Sequence, residues 1–324
     1  LSAAPVEAMA YTVPDTVRVG LESVCKNVAS ASIGVWELQI GMQKGDGFQR
    51  GGVITSSGLF TARPAVGDYI AVDKTMDCAD ALDMANDMKK SGLDTYAAYL
   101  SGGDWTVYVK DASVSAVEAA ADENASRVSF EGVAITGGEA PVLVPEDAVM
   151  MGGNVADTFK LNSMPYRGML TFSVNGSSMT GVNIIGLEEY LYGVVPSEMP
   201  KSYDAEALKA QAVAARTYAM TKLGAHTGSG YQLCDTTACQ VYKGYSNEAD
   251  ATTAAVDATA GEVACYNGSP IEAVFSASTG GYTESSENVW NTAVPYLRAV
   301  PEPGEYGDNS WTKTLTLDEL TALL

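Results

Sequence analysis

The feature that most constrains the fold is a hydrophobic period that changes repeatedly between residues 66 and 137. Tyr69-Ile70-Ala71-Val72 is a continuous apolar run of strand type. Asp77 or Cys78 then opens a helix that carries Leu82, Ala85 and Met88 on one side and stops at Gly92. Residues 96–100 read as a second strand and Gly102-Gly103-Asp104 as a turn, and Trp105, Val107 and Val109 alternate along a third strand. Residues 114–125 read as a second helix, and 128–135 as a last strand. A segment that switches between periods of about 2 and 3.6 must lay helices against a sheet. The predicted unit, residues 66–137, is a self-contained βαββαβ element of ferredoxin-like type.

On either side the chain continues as α+β. Residues 1–64 hold short strands: Val17, Val19 and Leu21 alternate with polar or small residues, 32–40 alternates again, and Gly45, Gly47, Gly51 and Gly52 mark turns. Residues 138–160, rich in Gly, Pro and acids, read as a linker. Beyond it, 169–174 and 179–185 flank Asn175-Gly176, a hairpin signal. Residues 187–195 are apolar at helical spacing, and Pro196 is expected to break that helix. Ser202 or Asp204 caps a long alanine-rich helix whose buried side is Ala207, Leu208, Gln211, Ala215 and Tyr218. A third helix is expected over 246–259, ending at Gly261, and a second hairpin over 262–276 around Asn267-Gly268. The predicted domains are therefore strands in 1–64 that join a mixed sheet-and-helix region at 161–324, the 66–137 unit, and the 138–160 linker.

Charge narrows the function. Forty acidic side chains against nineteen basic ones give a net charge of -21 over 324 residues, which excludes binding nucleic acid or anionic lipid by clustered Lys and Arg. No apolar stretch reaches 18 residues, so no spanning helix is expected. The first residue is Leu1, and we expect an export signal to precede it and the compartment to be extracellular or envelope-facing.

The inventory of reactive groups is short. His226 is the chain's one histidine, no serine sits in a GxSxG elbow, and HExxH, P-loop and GxGxxG motifs are absent. What remains is a carboxylate. In "GVVPSEMP", Glu198 has Val194, Val195, Pro196, Met199 and Pro200 around it, a setting that disfavours the ionised form and suits a general acid. The alternative is a cap for the helix that follows. Glu188 and Glu189 are expected on a solvated helix face. Asp235 is the candidate second carboxylate if the chain is a hydrolase that needs two. Arg216, Asp235, Gln240, Tyr242, Ser278, Gly280 and Gly281 are the substrate-binding candidates. Gln240 and Tyr242 alternate with Val241, so both are expected to face a cleft while Val241 packs inside. Gly280-Gly281 permits close backbone approach to a ligand or a plain turn. Cys234 and Cys239, with His226 eight residues before the first, have spacing for zinc or for a short disulfide. Cys25, Cys78 and Cys265 read as small buried residues.

Five phrases occur in order: "YRGMLTFSVNG", "GLEEYLYGVVPSEMP", "ALKAQAVAARTYA", "CDTTACQVYKG" and "SASTGGYTESSENVW". Together they resemble the SpoIID/LytB family of bacterial cell-wall proteins, over residue 164 to about 315 and the early strands from Val17 to Ile40. The resemblance implies that Glu198 is the catalytic acid of a lytic transglycosylase acting on peptidoglycan glycan strands, with no cofactor needed for catalysis. It also implies a structural zinc at His226, Cys234 and Cys239, and family sequence continuing past residue 324. A non-catalytic amidase enhancer, or an envelope-assembly scaffold, is the alternative, with a cell-wall amidase or another envelope protein as partner. Separately, "GLDTYAAYLSGGDWTVYVKD" and the order of elements in 66–137 resemble a SPOR domain, which implies a glycan-binding insertion.

Overall fold

The alternating runs become strands because each finds a partner, often far away in sequence. The computed structural model describes residues 12–153, 158–302 and 312–322. In chain order come β1 (Thr16–Gly20), β2 (Ala31–Ile33), β3 (Glu37–Lys44), β4 (Gly47–Thr55) and β5 (Phe60–Val72). They are followed by α1 (Cys78–Lys90), β6 (Asp94–Tyr99), β7 (Trp105–Lys110), α2 (Val114–Ala121) and β8 (Ala125–Thr136). Next are β9 (Val142–Pro145), β10 (Val149–Gly152), β11 (Phe159–Leu161), β12 (Met164–Tyr166), β13 (Met169–Asn175) and β14 (Ser178–Gly186). Then come α3 (Leu187–Glu198), α4 (Ala205–Lys222), β15 (Leu233–Cys234), α5 (Asp250–Ala258), β16 (Cys265–Tyr266) and β17 (Ser269–Pro270). The short helices α6 (Ser286–Trp290) and α7 (Leu317–Thr321) complete the described chain.

Two large sheets result. One runs β15-β1-β14-β13-β10-β3-β4. Its centre is the β13–β14 hairpin, whose turn is Gly176 at φ +58. β1 lies antiparallel to β14, with Val17 opposite Ile185 and Val19 opposite Asn183. The other sheet runs β12-β11-β2-β5-β7-β6-β9-β8, and β8 pairs back onto β5, so β5, β7, β6, β9 and β8 close into a ring. The chain is thus a mixed α+β protein.

The expected βαββαβ order is present as β5-α1-β6-β7-α2-β8. Asp77 caps α1 by accepting from the Asp80 amide, and the buried side is Ala81, Leu82, Ala85 and Met88. Two domain boundaries differ from expectation. The 64/66 boundary falls inside β5, a thirteen-residue strand whose first residues pair with β2. The expected linker 138–160 contains β9 and β10, and each fills a place in a sheet. Burial of Val142, Leu143 and Val144, with Val149 and Met150, is what draws these runs inward between the acids. Of the expected segments, residues 1–11, 154–157, 303–311 and 323–324 lie outside the described residues.

One hydrophobic core runs from Val17 in β1 through Trp105 in β7 to Val256 in α5. The Trp105 indole donates to the Gly51 carbonyl at 3.0 Å, so the unit following β4 is bound to that strand. Residues 1–273 make one compact unit and 274–324 a second. Among the described residues no helix is long and apolar enough to cross a membrane.

Candidate functional site

Pro196 does not end α3. The helix continues through it to Glu198. Proline at this position has no N–H to give back to the preceding turn. Ser197 stays local: its hydroxyl donates to the Gly193 carbonyl at 2.6 Å and accepts from Asn247 Nδ2 at 2.8 Å. Met199, extended, closes the helix by donating to the Val195 carbonyl. Glu198 therefore sits half-buried at the helix end, and it does not cap α4, a role taken by Asp204. Glu198 Oε1 accepts from the Val241 amide at 2.7 Å. That contact brings the end of α3 to the loop that follows the cysteine pair.

The loop is fixed by buried polar groups. Gln240 is buried; its Nε2 donates to the Ala215 carbonyl on α4 at 3.1 Å, and its Oε1 accepts from Tyr190 on α3 at 3.3 Å. The Tyr242 hydroxyl donates to Asn183 Oδ1 at 2.9 Å, and Asn183 Nδ2 donates to the Arg167 and Met169 carbonyls. Complete burial holds the Tyr190 and Tyr242 hydroxyls far above the usual phenol range, so both are permanent donors. Gln240 and Tyr242 thus face inward and half-buried Val241 presents its amide to Glu198, the reverse of the expected parity. Gly193 explains how Tyr242 fits, since a Cβ there would lie 2.6 Å from the ring.

Asp235 is not a second carboxylate at this corner. It is 2% exposed and accepts from the Ser23 amide at 3.0 Å and from the Ser23 hydroxyl. Burial raises its pKa, and the Ser23 bonds oppose that rise in part. Its own amide donates to the Gly20 carbonyl, so it ties the loop to the end of β1. Arg216 is likewise no surface contact. It is fully buried, with Nε and Nη2 on the two Glu188 oxygens at 2.8 and 2.6 Å, and Nη1 on the Glu262 carbonyl. Glu188, expected on a solvated face, is its counterion. The fork geometry satisfies a guanidinium that could not otherwise leave water.

Beside the loop lie His226, Cys234 and Cys239. Their ligand atoms are all within 4.8 Å of one another, and His226 Nε2 is 3.2 Å from Cys239 Sγ. The two cysteines are buried and not bonded to each other. Burial pushes the Cys239 thiol up to about 11. Tyr231 stacks on the imidazole at 5.3 Å, and its hydroxyl donates to Glu22 at 2.6 Å, which fixes the ring from behind. Two thiols and an imidazole at this separation fit zinc.

Ser278, Gly280 and Gly281 belong to the second unit. Gly280 and Gly281 have φ of +72 and +95, which accounts for glycine as a turn requirement. The residues missed by sequence reading are Asn247 and Ser197, the Val241 amide, and the bidentate Arg167–Glu248 pair at 2.7 Å. Arg167, Ser197 and Val241 lie within the quoted phrases, Asn247 and Glu248 just beyond them, and no spacing rule connects Glu248 to Arg167.

Fold and site together define an α+β protein that presents one glutamate at a helix end, oriented by the backbone of a cysteine-anchored loop. Comparison with known proteins shows what this class is similar to. Residues 175–266 match the model of SpoIID, stage II sporulation protein. The amidase enhancer of Bacillus subtilis is 50% identical over 130 residues, 40% of this chain and 17% of that protein. The stage II sporulation protein D of the same organism is 39% identical over 155 residues, 43% of this chain and 45% of that protein. An uncharacterized protein of Brachyspira hyodysenteriae is 42% identical over 166 residues, 51% of this chain and 45% of that protein. The chain thus spans less than half the length of each of these relatives. Glu198, Arg216 and the His226, Cys234, Cys239 cluster all lie within the residues that match the SpoIID model.

Proposed function

We propose that this chain is a lytic transglycosylase of peptidoglycan, working at the bacterial cell envelope, with Glu198 as its acid and base. The observation that carries the reading is the single bond from the Val241 amide to Glu198 Oε1. It fixes the carboxyl while Oε2 has no hydrogen-bond partner among the described residues. Glu198 Oε2 gives its proton to the glycosidic oxygen between N-acetylmuramic acid and N-acetylglucosamine, and the C1–O bond breaks. The muramic 6-hydroxyl attacks C1 and forms a 1,6-anhydro ring, and its proton returns to the Glu198 carboxylate. One carboxyl suffices because the nucleophile belongs to the substrate, which gains from proximity and excludes water. That agrees with Asp235 being engaged elsewhere.

His226, Cys234 and Cys239 would hold a zinc ion that staples the loop two residues before Val241. Its contribution is structural: bound ligands keep the loop folded. The β5–β8 ring, read as SPOR-like, would hold the same glycan.

A second reading rests on the 50% identity to a protein named amidase enhancer. In it the chain binds glycan and stimulates a partner amidase without cleaving. Reducing-end analysis of digested peptidoglycan separates the two. Anhydro ends are expected with the native chain. Glu198→Gln keeps shape and cannot cycle a proton, so their formation should fall by about 10²–10⁴-fold with unchanged melting temperature. Full activity in that variant overturns the assignment. Native protein that yields no anhydro ends yet accelerates an amidase favours the second reading.

A further inference from the structure

Among the described residues one buried side-chain donor is unused. Gln211 on α4 is 8% exposed, and its Nε2 has no acceptor among the described residues. The buried polar side chains that hold Glu198 and its loop are all engaged: Gln240, Tyr190, Tyr242, Asn183, Asp235 and Arg216. An amide held away from water with nothing to donate to costs stability, and such groups in native proteins call for a reason.

Its position supplies one. Gln211 is one helical turn before Ala215, on the same buried stripe of α4. The Ala215 carbonyl holds Gln240, whose neighbour Val241 holds Glu198. Side chains on a helix lean towards its N-terminus, so the Gln211 amide, already one turn before the carbonyl that holds Gln240, leans further towards the start of α4. Only six residues, 199–204, separate that start from Glu198.

We infer that Gln211 Nε2 is a ligand-binding donor of the Glu198 site, and that its acceptor is the acetamido carbonyl oxygen of an N-acetylated sugar. This rests on the glycan reading above. A planar amide donor suits an amide carbonyl, and the recessed position suits a short arm projecting from a sugar ring. The unpaired donor is the stability given up in the empty protein for a contact made on binding.

The test uses the full chain and two probes, the β-1,4-linked hexamer of N-acetylglucosamine and its N-deacetylated counterpart, with affinities measured by calorimetry. The native chain should prefer the acetylated hexamer. Gln211→Met, near in volume and without a donor, should melt at or above the native temperature, because it removes an unsatisfied group. It should bind the acetylated hexamer about tenfold more weakly, the loss of one hydrogen bond, and the deacetylated one unchanged. Should Gln211→Met melt lower, Gln211→Ala tests the same loss without added bulk. Native preference retained in the folded variant overturns the role of Gln211 and leaves the glycan reading intact. A native chain that binds neither hexamer overturns both.

Discussion

The SpoIID-matching segment and the β5–β8 ring bury their polar groups in opposite ways. The ring buries Thr95 and Thr106, and each hydroxyl donates to a single backbone carbonyl, Ala85 and Val72. Its interior otherwise consists of aliphatic and aromatic packing, such as Tyr99 against Trp105 with ring centroids 5.2 Å apart. The matching segment buries Asn183, Gln211, Arg216, Asp235 and Gln240, and nearly all of them reach across elements. A network of that kind costs more to bury and tolerates fewer arrangements, so it fixes geometry where packing alone would fix only volume. The difference teaches where precision is spent: on the two residues, Val241 and Glu198, that the network brings together.

The comparison can be broken first by excision. A fragment of residues 66–137 loses the start of β5 and all of β9, which closes the ring between β6 and β8. It should show no cooperative thermal transition by circular dichroism, whereas 60–145 should show one. A cooperative transition in the shorter fragment would restore the self-contained unit expected from sequence. Next in size, Arg216→Met leaves Glu188 facing a buried site without its partner. A loss of about 3 kcal/mol in chemical denaturation is expected, at the low end for a broken buried pair because Glu188 is 31% exposed. A loss under ~1 kcal/mol would mean the pair is worth no more than a surface bridge.

A milder probe is metal removal. Metal analysis should find about one zinc per chain, and a chelator should lower the melting temperature, since binding and folding are coupled. Mass spectrometry that shows Cys234 linked to Cys239 would replace the metal by a disulfide. The smallest effect belongs to the ring. Burial, and then Asp94, push Tyr96 up to about 12. The unfolded chain gives up that proton near 10, so it holds fewer protons than the folded state between those values. Stability should therefore fall as pH rises from about 10 to about 12, and Tyr96→Phe should flatten that fall. Absorbance at alkaline pH that shows Tyr96 ionising with the exposed tyrosines would remove the effect.

Local signals in the sequence were legible where one short segment decides the outcome. Asp77 caps α1, Asn175-Gly176 turns the hairpin, Glu198, Cys234 and Cys239 come from two phrases of the chain, and His226 stands eight residues before the first of those cysteines. What stayed hidden depends on partners far off in sequence. Ser23 finds Asp235 212 residues on, and Glu188 finds Arg216 only once α3 and α4 pack. The linker reading failed because acids and Gly set the composition of 138–160, while Val142-Leu143-Val144 and Val149-Met150 set its structure. For Gln240 and Tyr242 the alternation was right and its sense was wrong. Which side of the loop is inside is decided by Tyr190 and Gly193 on another element.

The place of β1 has a consequence in time. Arg18 takes the Gln232 side chain across 214 residues, and β1 reaches its sheet neighbours only when β14 and β15 exist. At roughly 5–20 residues per second, synthesis leaves that first strand unpaired for about 10–40 s. Closing so long a loop is slow in any case. Through that interval Val17 and Val19, which end without exposure, stand open on a strand with both edges bare. The nascent chain is then most open to capture by a chaperone or by another copy of itself, because β1 is made before both of the strands that secure it.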